Sequence, residues 1–319
     1  MSAEYLAKSA EAKQADLWEA IMADTTPGKF PSATSLAGIF VESMGPTFDG
    51  KGDAMPGGMI YGQRTKYIHS VGAVGKVKFL PEPGNKYSGI FKGANHGLVR
   101  FSSAAGPSKS QPLAPGLGLK FLRDGTDSAN LVSMWGVEGQ PDDWNFFSND
   151  FFNHIKAAPA DNFALYALAK KFSTGTDYIQ QVGLSDFAEF DQSGHQEYPN
   201  MPFSLRFEPH SDVHTLFPKD LQNGDYMAYV GQLASVPANS RLYKIYALDK
   251  SDMAGGKEQL IGTLALDGVL TTSKWADESL FFRHQRMDDD VKYKPEWDPY
   301  LEKFSDGGKG CPFAKMMGF

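Results

Sequence analysis

The order of segments predicts an α+β protein built on one eight-stranded antiparallel β-barrel with peripheral helices and an extended N-terminal arm. Two sets of four strand-like segments stand either side of a helical stretch, and closing them into one barrel removes both sheet edges at once. No internal repeat or low-complexity linker divides the chain, so one barrel is favoured over two domains. With 319 residues, 41% hydrophobic and 13% aromatic, the chain can bury a single large core. Three segments follow: 1–62 a helix and arm, 63–290 the barrel, 291–319 a C-terminal tail.

Residues 3–23 place Ala3, Leu6, Ala10, Leu17 and Ile21 at helical spacing, and Thr25-Thr26-Pro27-Gly28 ends that amphipathic helix. From 29 to 62 glycine and proline recur, as at Pro31, Gly38, Pro46, Gly50 and Pro56, which predicts an irregular arm suited to a contact in a homo-oligomer. Strands are expected over 67–79, 97–103, 117–122 and 129–134, separated by turns such as Pro81-Glu82-Pro83-Gly84-Asn85. Helices are expected over 149–157 and 161–172, the second with Asp161 as N-cap. A second set of strands is expected over 203–208, 226–234, 241–248 and 259–266, followed by short helices and a loose tail.

Charge excludes one class of partner. Lys+Arg 31 against Asp+Glu 38 gives a net charge of -7, the wrong sign for neutralising phosphates along a nucleic acid. No apolar run approaches the roughly 18 residues of a spanning helix. The single cysteine, Cys311, forms no internal disulfide, which fits a reducing, cytoplasmic location.

The stretch around His69 carries the chemistry. After Lys66-Tyr67-Ile68-His69 the residues run small, with glycine at 72 and 75, and then alternate apolar with charged, which describes a strand entered from a crowded bend. Glycine there removes the Cβ where another backbone or a flat ligand must approach closely. The runs Tyr67-Ile68-His69-Ser70-Val71-Gly72-Ala73-Val74-Gly75, Gly97-Leu98-Val99-Arg100-Phe101-Ser102-Ser103 and Pro115-Gly116-Leu117-Gly118-Leu119-Lys120-Phe121, continued by Asn130-Leu131-Val132 and Phe146-Phe147, resemble in order and spacing the first barrel half of haem catalases. Asn200-Met201-Pro202-Phe203 and Ile261-Gly262-Thr263-Leu264 extend the similarity to about residue 290.

The resemblance implies haem b as cofactor and a peroxide as substrate. On it, His69 is the distal acid-base and Ser102 the hydroxyl that fixes its tautomer. Arg100 and Lys66 stand where haem propionates are paired, Gly116, Val71 and Val132 line the porphyrin, and Phe147 is a further cofactor contact. Met134 stands where the family has a distal asparagine, which makes the pocket more apolar and suits a lipid hydroperoxide, as in the coral allene oxide synthases of the same superfamily. The family's proximal Arg-x-x-x-Tyr is missing, because none of the 13 tyrosines has an arginine four residues earlier. Tyr300, Tyr293, His284 and Cys311-Pro312 are the alternatives as axial ligand, Tyr300 foremost. The second reading is a catalase fold without iron, binding a small apolar molecule or serving as an oligomeric unit.

Two other clusters read as solvated. His210 and His214 stand four apart in a Pro-Ser-Asp context that predicts a turn, and no Glu follows His210 as a zinc-protease base would require. Asp288-Asp289-Asp290 lacks the alternating ligands of a calcium loop.

Overall fold

The computed structural model describes residues 3–29, 53–54, 60–61, 69–85, 91, 93–105, 112–126, 128–134, 146–147, 156–157, 204–214, 216, 226–248, 258–280 and 282. The helix expected over 3–23 is two helices, α1 (Ala3–Ala7) and α2 (Ala10–Ala23). Ser9 makes the break: its backbone is extended, and its hydroxyl accepts from the Ala12 N–H at 3.2 Å, capping α2. The helix ends at Asp24, whose carboxylate takes the N–H and hydroxyl of Thr26.

The rest of the described fold is a short hairpin, β1 (Asp53–Ala54) with β2 (Ile60–Tyr61), and one large antiparallel sheet. The sheet holds β3 (Val71–Pro81), β4 (Gly97–Ala105), β5 (Pro112–Phe121), β6 (Ala129–Met134), β7 (Lys156–Ala157), β8 (Ser204–Pro209), β9 (Arg241–Leu248) and β10 (Gln259–Thr272). Its order is β6-β5-β4-β3-β10-β9-β8-β7, so the first and last long strands, β3 and β10, pair at its centre. The sheet curls until its edge strands β6 and β7 approach each other. Phe101 on β4 meets Tyr243 on β9 across the interior, ring centres 6.3 Å apart, although two strands separate them in the sheet.

The strand count departs from the expected eight. Seven strands have six residues or more, and β7 is a two-residue bridge to Arg206 and Leu205, inside a stretch predicted helical. The remainder of 149–157 and all of 161–172 lie outside the described residues. The strand expected over 226–234 is a helix, α3 (Tyr226–Leu233). Its aromatic and β-branched content suggests a strand, yet its buried residues, Tyr226, Tyr229, Val230 and Leu233, follow the i, i+3, i+4, i+7 rule of a helical stripe. That stripe packs into the interior core with Phe101, Phe146, Phe147, Phe207 and Tyr243. Two tyrosine hydroxyls are satisfied inside it: Tyr243 donates to the Phe146 carbonyl at 2.8 Å, and Tyr229 accepts the Phe146 N–H at 2.8 Å.

Alternation along the strands separates two faces. Val71, Ala73, Val99, Phe101, Leu117 and Leu119 point into the interior core. Val74 and Leu98 lie on the opposite, outer face, where Leu17 and Ile21 of α2 cover them together with Ala276 and Leu280. The last two flank the end of α4 (Lys274–Glu278), a short helix capped by Ser273 through the Ala276 N–H. The central seam has no spare room at Gly262, where a Cβ would lie 2.3 Å from the Phe79 ring and 2.5 Å from the Leu80 carbonyl oxygen. Gly262→Ala is therefore expected to destabilise the protein by about 1–3 kcal/mol, because the backbone oxygen cannot move aside without breaking the β3–β10 ladder; urea unfolding measures it.

Candidate functional site

The β3–β4 ladder begins at Val71 opposite Ser103, so His69 and Ser70 stand just beyond the last paired residue. Their position depends on side chains. From the outer face of β4, Ser102 places its hydroxyl 3.2 Å from His69 Nδ1. Arg100, two residues back on the same face, donates from Nη2 to the His69 carbonyl at 2.9 Å. The same nitrogen donates to Asp277 Oδ1 at 2.7 Å, an ion pair with both side chains almost fully buried. Asp277 Oδ1 also accepts the Gly72 N–H at 3.1 Å, and Oδ2 accepts the Gly28 N–H at 2.8 Å. One carboxylate thus ties the chain after α2, the start of β3 and the guanidinium on β4 to α4.

Gly72 makes this crossing possible. A Cβ there would lie 2.3 Å from the Phe101 carbonyl oxygen and 3.1 Å from Arg100 Cζ, so the guanidinium passes over a position that only glycine can occupy.

Three buried polar atoms of this cluster have no hydrogen-bond partner among the described residues: His69 Nε2, Ser70 Oγ and Arg100 Nε. Burial first and the Arg100 charge second push the His69 pKa down to about 4, against a smaller opposing contribution from a hydrogen bond to the Ser102 backbone. The imidazole is neutral at neutral pH. If Nδ1 carries the proton and donates it to Ser102 Oγ, Nε2 keeps a free lone pair inside the protein.

The residues expected around a porphyrin divide between the two faces. Gly72, Ser102, Gly116 and Met134 form one transverse row through successive strand pairs, and Val74, Arg100, Gly118 and Val132 form the next. By register, Gly116, Val132 and Met134 share the transverse rows of Ser102 and Arg100. Val71 and Phe147 do not: both are fully covered by protein in the interior core. Strand alternation turns Val71 to the face opposite its neighbour Gly72. Arg100 finds its carboxylate in the chain itself, at Asp277. The Phe282 ring lies against Gly118, 3.0 Å from where a Cβ would stand. Lys66, Tyr300, Tyr293, His284, Cys311 and the run Asp288-Asp289-Asp290 lie outside the described residues.

Asp277 is the residue that sequence reasoning missed. Nothing local singles it out: it stands beside Glu278 in the short segment Lys274-Trp275-Ala276-Asp277-Glu278, directly after a strand and a serine cap.

The second histidine cluster is a turn. Val213 and His214 both donate their N–H groups to the His210 carbonyl, and His214 is exposed. His210 Nδ1 accepts the Asp212 N–H at 3.2 Å, and burial is the largest cause of its lowered pKa. Arg241 grips the Asp212 carboxylate through Nε and Nη2, each at 3.0 Å, and holds its pKa down to about 2.

Comparison of the chain with protein-family models, with curated proteins and with solved structures finds no match. Among the described residues no helix is long and apolar enough to cross a membrane.

Proposed function

We propose that this protein is a haem-dependent enzyme with a catalase-like barrel that acts on hydrogen peroxide or an organic hydroperoxide, with His69 as its acid-base group. The observation that carries the reading is the His69–Ser102 pair: a neutral imidazole with one nitrogen on a hydroxyl and the other buried and, among the described residues, without a partner. A base with a buried, unpaired nitrogen, and its other nitrogen held, is suited to take and return one proton. Ser102 holds the ring orientation, and burial keeps protons off it until substrate brings one. His69 Nε2 accepts the hydroperoxide proton and returns it to the departing oxygen.

Bound haem would supply the iron-centred redox chemistry that breaks the O–O bond. The distal residues fit it: His69 Nε2 is orphaned, and Arg100 keeps an orphaned Nε–H that can serve a propionate although Nη2 is taken by Asp277. Lys66 is the second propionate partner on this reading, and Tyr300 the axial ligand. Met134, in one row with Ser102, favours an organic or lipid hydroperoxide over hydrogen peroxide. The same reading makes the protein a cytoplasmic homo-oligomer.

A second reading is favoured by Asp277 and Phe282, which fill the outer face at Arg100 and Gly118 with the chain's own groups. On it the barrel has given up iron and binds a small apolar molecule or serves a structural role. Absorption spectra of protein from haem-supplemented cells, with a hemin titration of any colourless fraction, separate the two. The enzyme reading expects a stoichiometric Soret band that Tyr300→Phe abolishes or shifts. A folded protein that stays colourless through the titration overturns it.

A further inference from the structure

The bend that carries His69 has no ladder of its own. Pairing with β4 begins at Val71, and neither His69 nor Ser70 lies in a strand. Two bonds brace it from the same carboxylate: Arg100 Nη2 joins the His69 carbonyl to Asp277 Oδ1, and that oxygen takes the Gly72 N–H directly. The brace spans the bend from both ends, at residues 69 and 72. A planar guanidinium held by a buried carboxylate has little freedom, so the carbonyl it grips is fixed as well.

We propose that Asp277 is the positioning residue of this site: through Arg100 and Gly72 it clamps the 69–72 bend, so that the imidazole keeps Nδ1 on Ser102 and its Nε2 buried. The role of that imidazole rests on the haem reading; the clamp itself does not. Asp277 reaches the site from α4, which follows β10 in the sequence, so the docking of that helix decides the geometry of a residue just before β3.

Nitrogen-15 and proton NMR of the His69 imidazole in the full-length chain, before any haem is added, tests the clamp. Wild-type protein is expected to show one neutral tautomer, protonated at Nδ1, with a titration midpoint near 4. In Asp277→Asn the clamp loses its charge, and the ring is expected to sample both tautomers and titrate upward, toward its ordinary 6.5, as water reaches it. The direction discriminates. Loss of a negative charge beside Arg100, with the ring still in place, would by Coulomb's law lower the midpoint or leave it.

Arg100→Lys keeps a positive charge opposite Asp277 but replaces the fork by a point donor, and is expected to give the same upward shift; it serves if Asp277→Asn does not fold. Ser9→Ala removes only the cap of α2, and should weaken the protein while leaving the His69 signals as in wild type. A wild-type tautomer and midpoint in a folded Asp277→Asn or Arg100→Lys overturns the clamp and leaves the haem reading standing. A colourless protein in which the variants shift as expected does the reverse.

Discussion

Asp277→Ala is expected to cost about 3–5 kcal/mol of folding free energy, the largest single loss in the molecule, because it leaves the Arg100 guanidinium charged and uncompensated in the core. The carboxylate also accepts the Gly28 and Gly72 N–H groups, and alanine orphans both. An ion pair this deeply buried gains little over an apolar pair of the same shape, so the penalty belongs to the broken pair. The double variant Arg100→Met with Asp277→Leu should therefore regain part of the loss, although the two glycine N–H groups stay unsatisfied. Urea unfolding of the two singles and the double closes the cycle, and a double variant as unstable as the sum of the singles would refute this account.

His69→Gln is the second large effect, and it has two readouts. On the proposed haem reading, hydroperoxide turnover should fall by about 10²–10⁴-fold at an unchanged Soret band, since glutamine fills the volume and hydrogen-bonds but cannot take a proton. Stability should change in the opposite sense in acid. The folded-state pKa of His69, about 4, lies below the ordinary 6.5, so as pH falls the unfolded chain takes the proton before the folded one does. Stability is full above pH 6.5 and declines between 6.5 and 4, by about 3 kcal/mol in all. Glutamine has no such term, so the variant should lose less stability than wild type across that window. Equal acid profiles would mean that the imidazole is not held neutral by burial.

Local patterning made β4, β6, β8 and β9 legible in the sequence nearly to their ends, because each alternates or runs apolar between turn residues, whereas β3 starts four residues later than expected. It failed where composition and periodicity disagreed: residues 226–233 are rich in strand formers, yet their buried set is helical, and the spacing is the better guide because it reflects what is buried. It failed again at Ser9, a cap inside an otherwise continuous helical pattern. For the site, the resemblance brought His69 and Ser102 together, and the structure holds them 3.2 Å apart. It also named Val71 and Phe147 beside Gly116 and Val132, and the structure has Val71 and Phe147 in the interior core. Asp277 was out of reach of local reasoning, since its importance comes only from what β10 and α4 carry to the start of β3.

The adjacency of β3 and β10 sets the order in which this chain can become itself during synthesis. Hairpins β3–β4, β4–β5 and β5–β6 can close as soon as they leave the ribosome, because their partners are neighbours in sequence. Until residues 259–272 emerge, β3 is an open edge carrying alternating apolar groups, a surface that invites pairing with another nascent chain. Its closing contacts are among the most non-local in the molecule, and such contacts make folding slow. His69 inherits that delay, for the bend that carries it is braced only after α4 has docked.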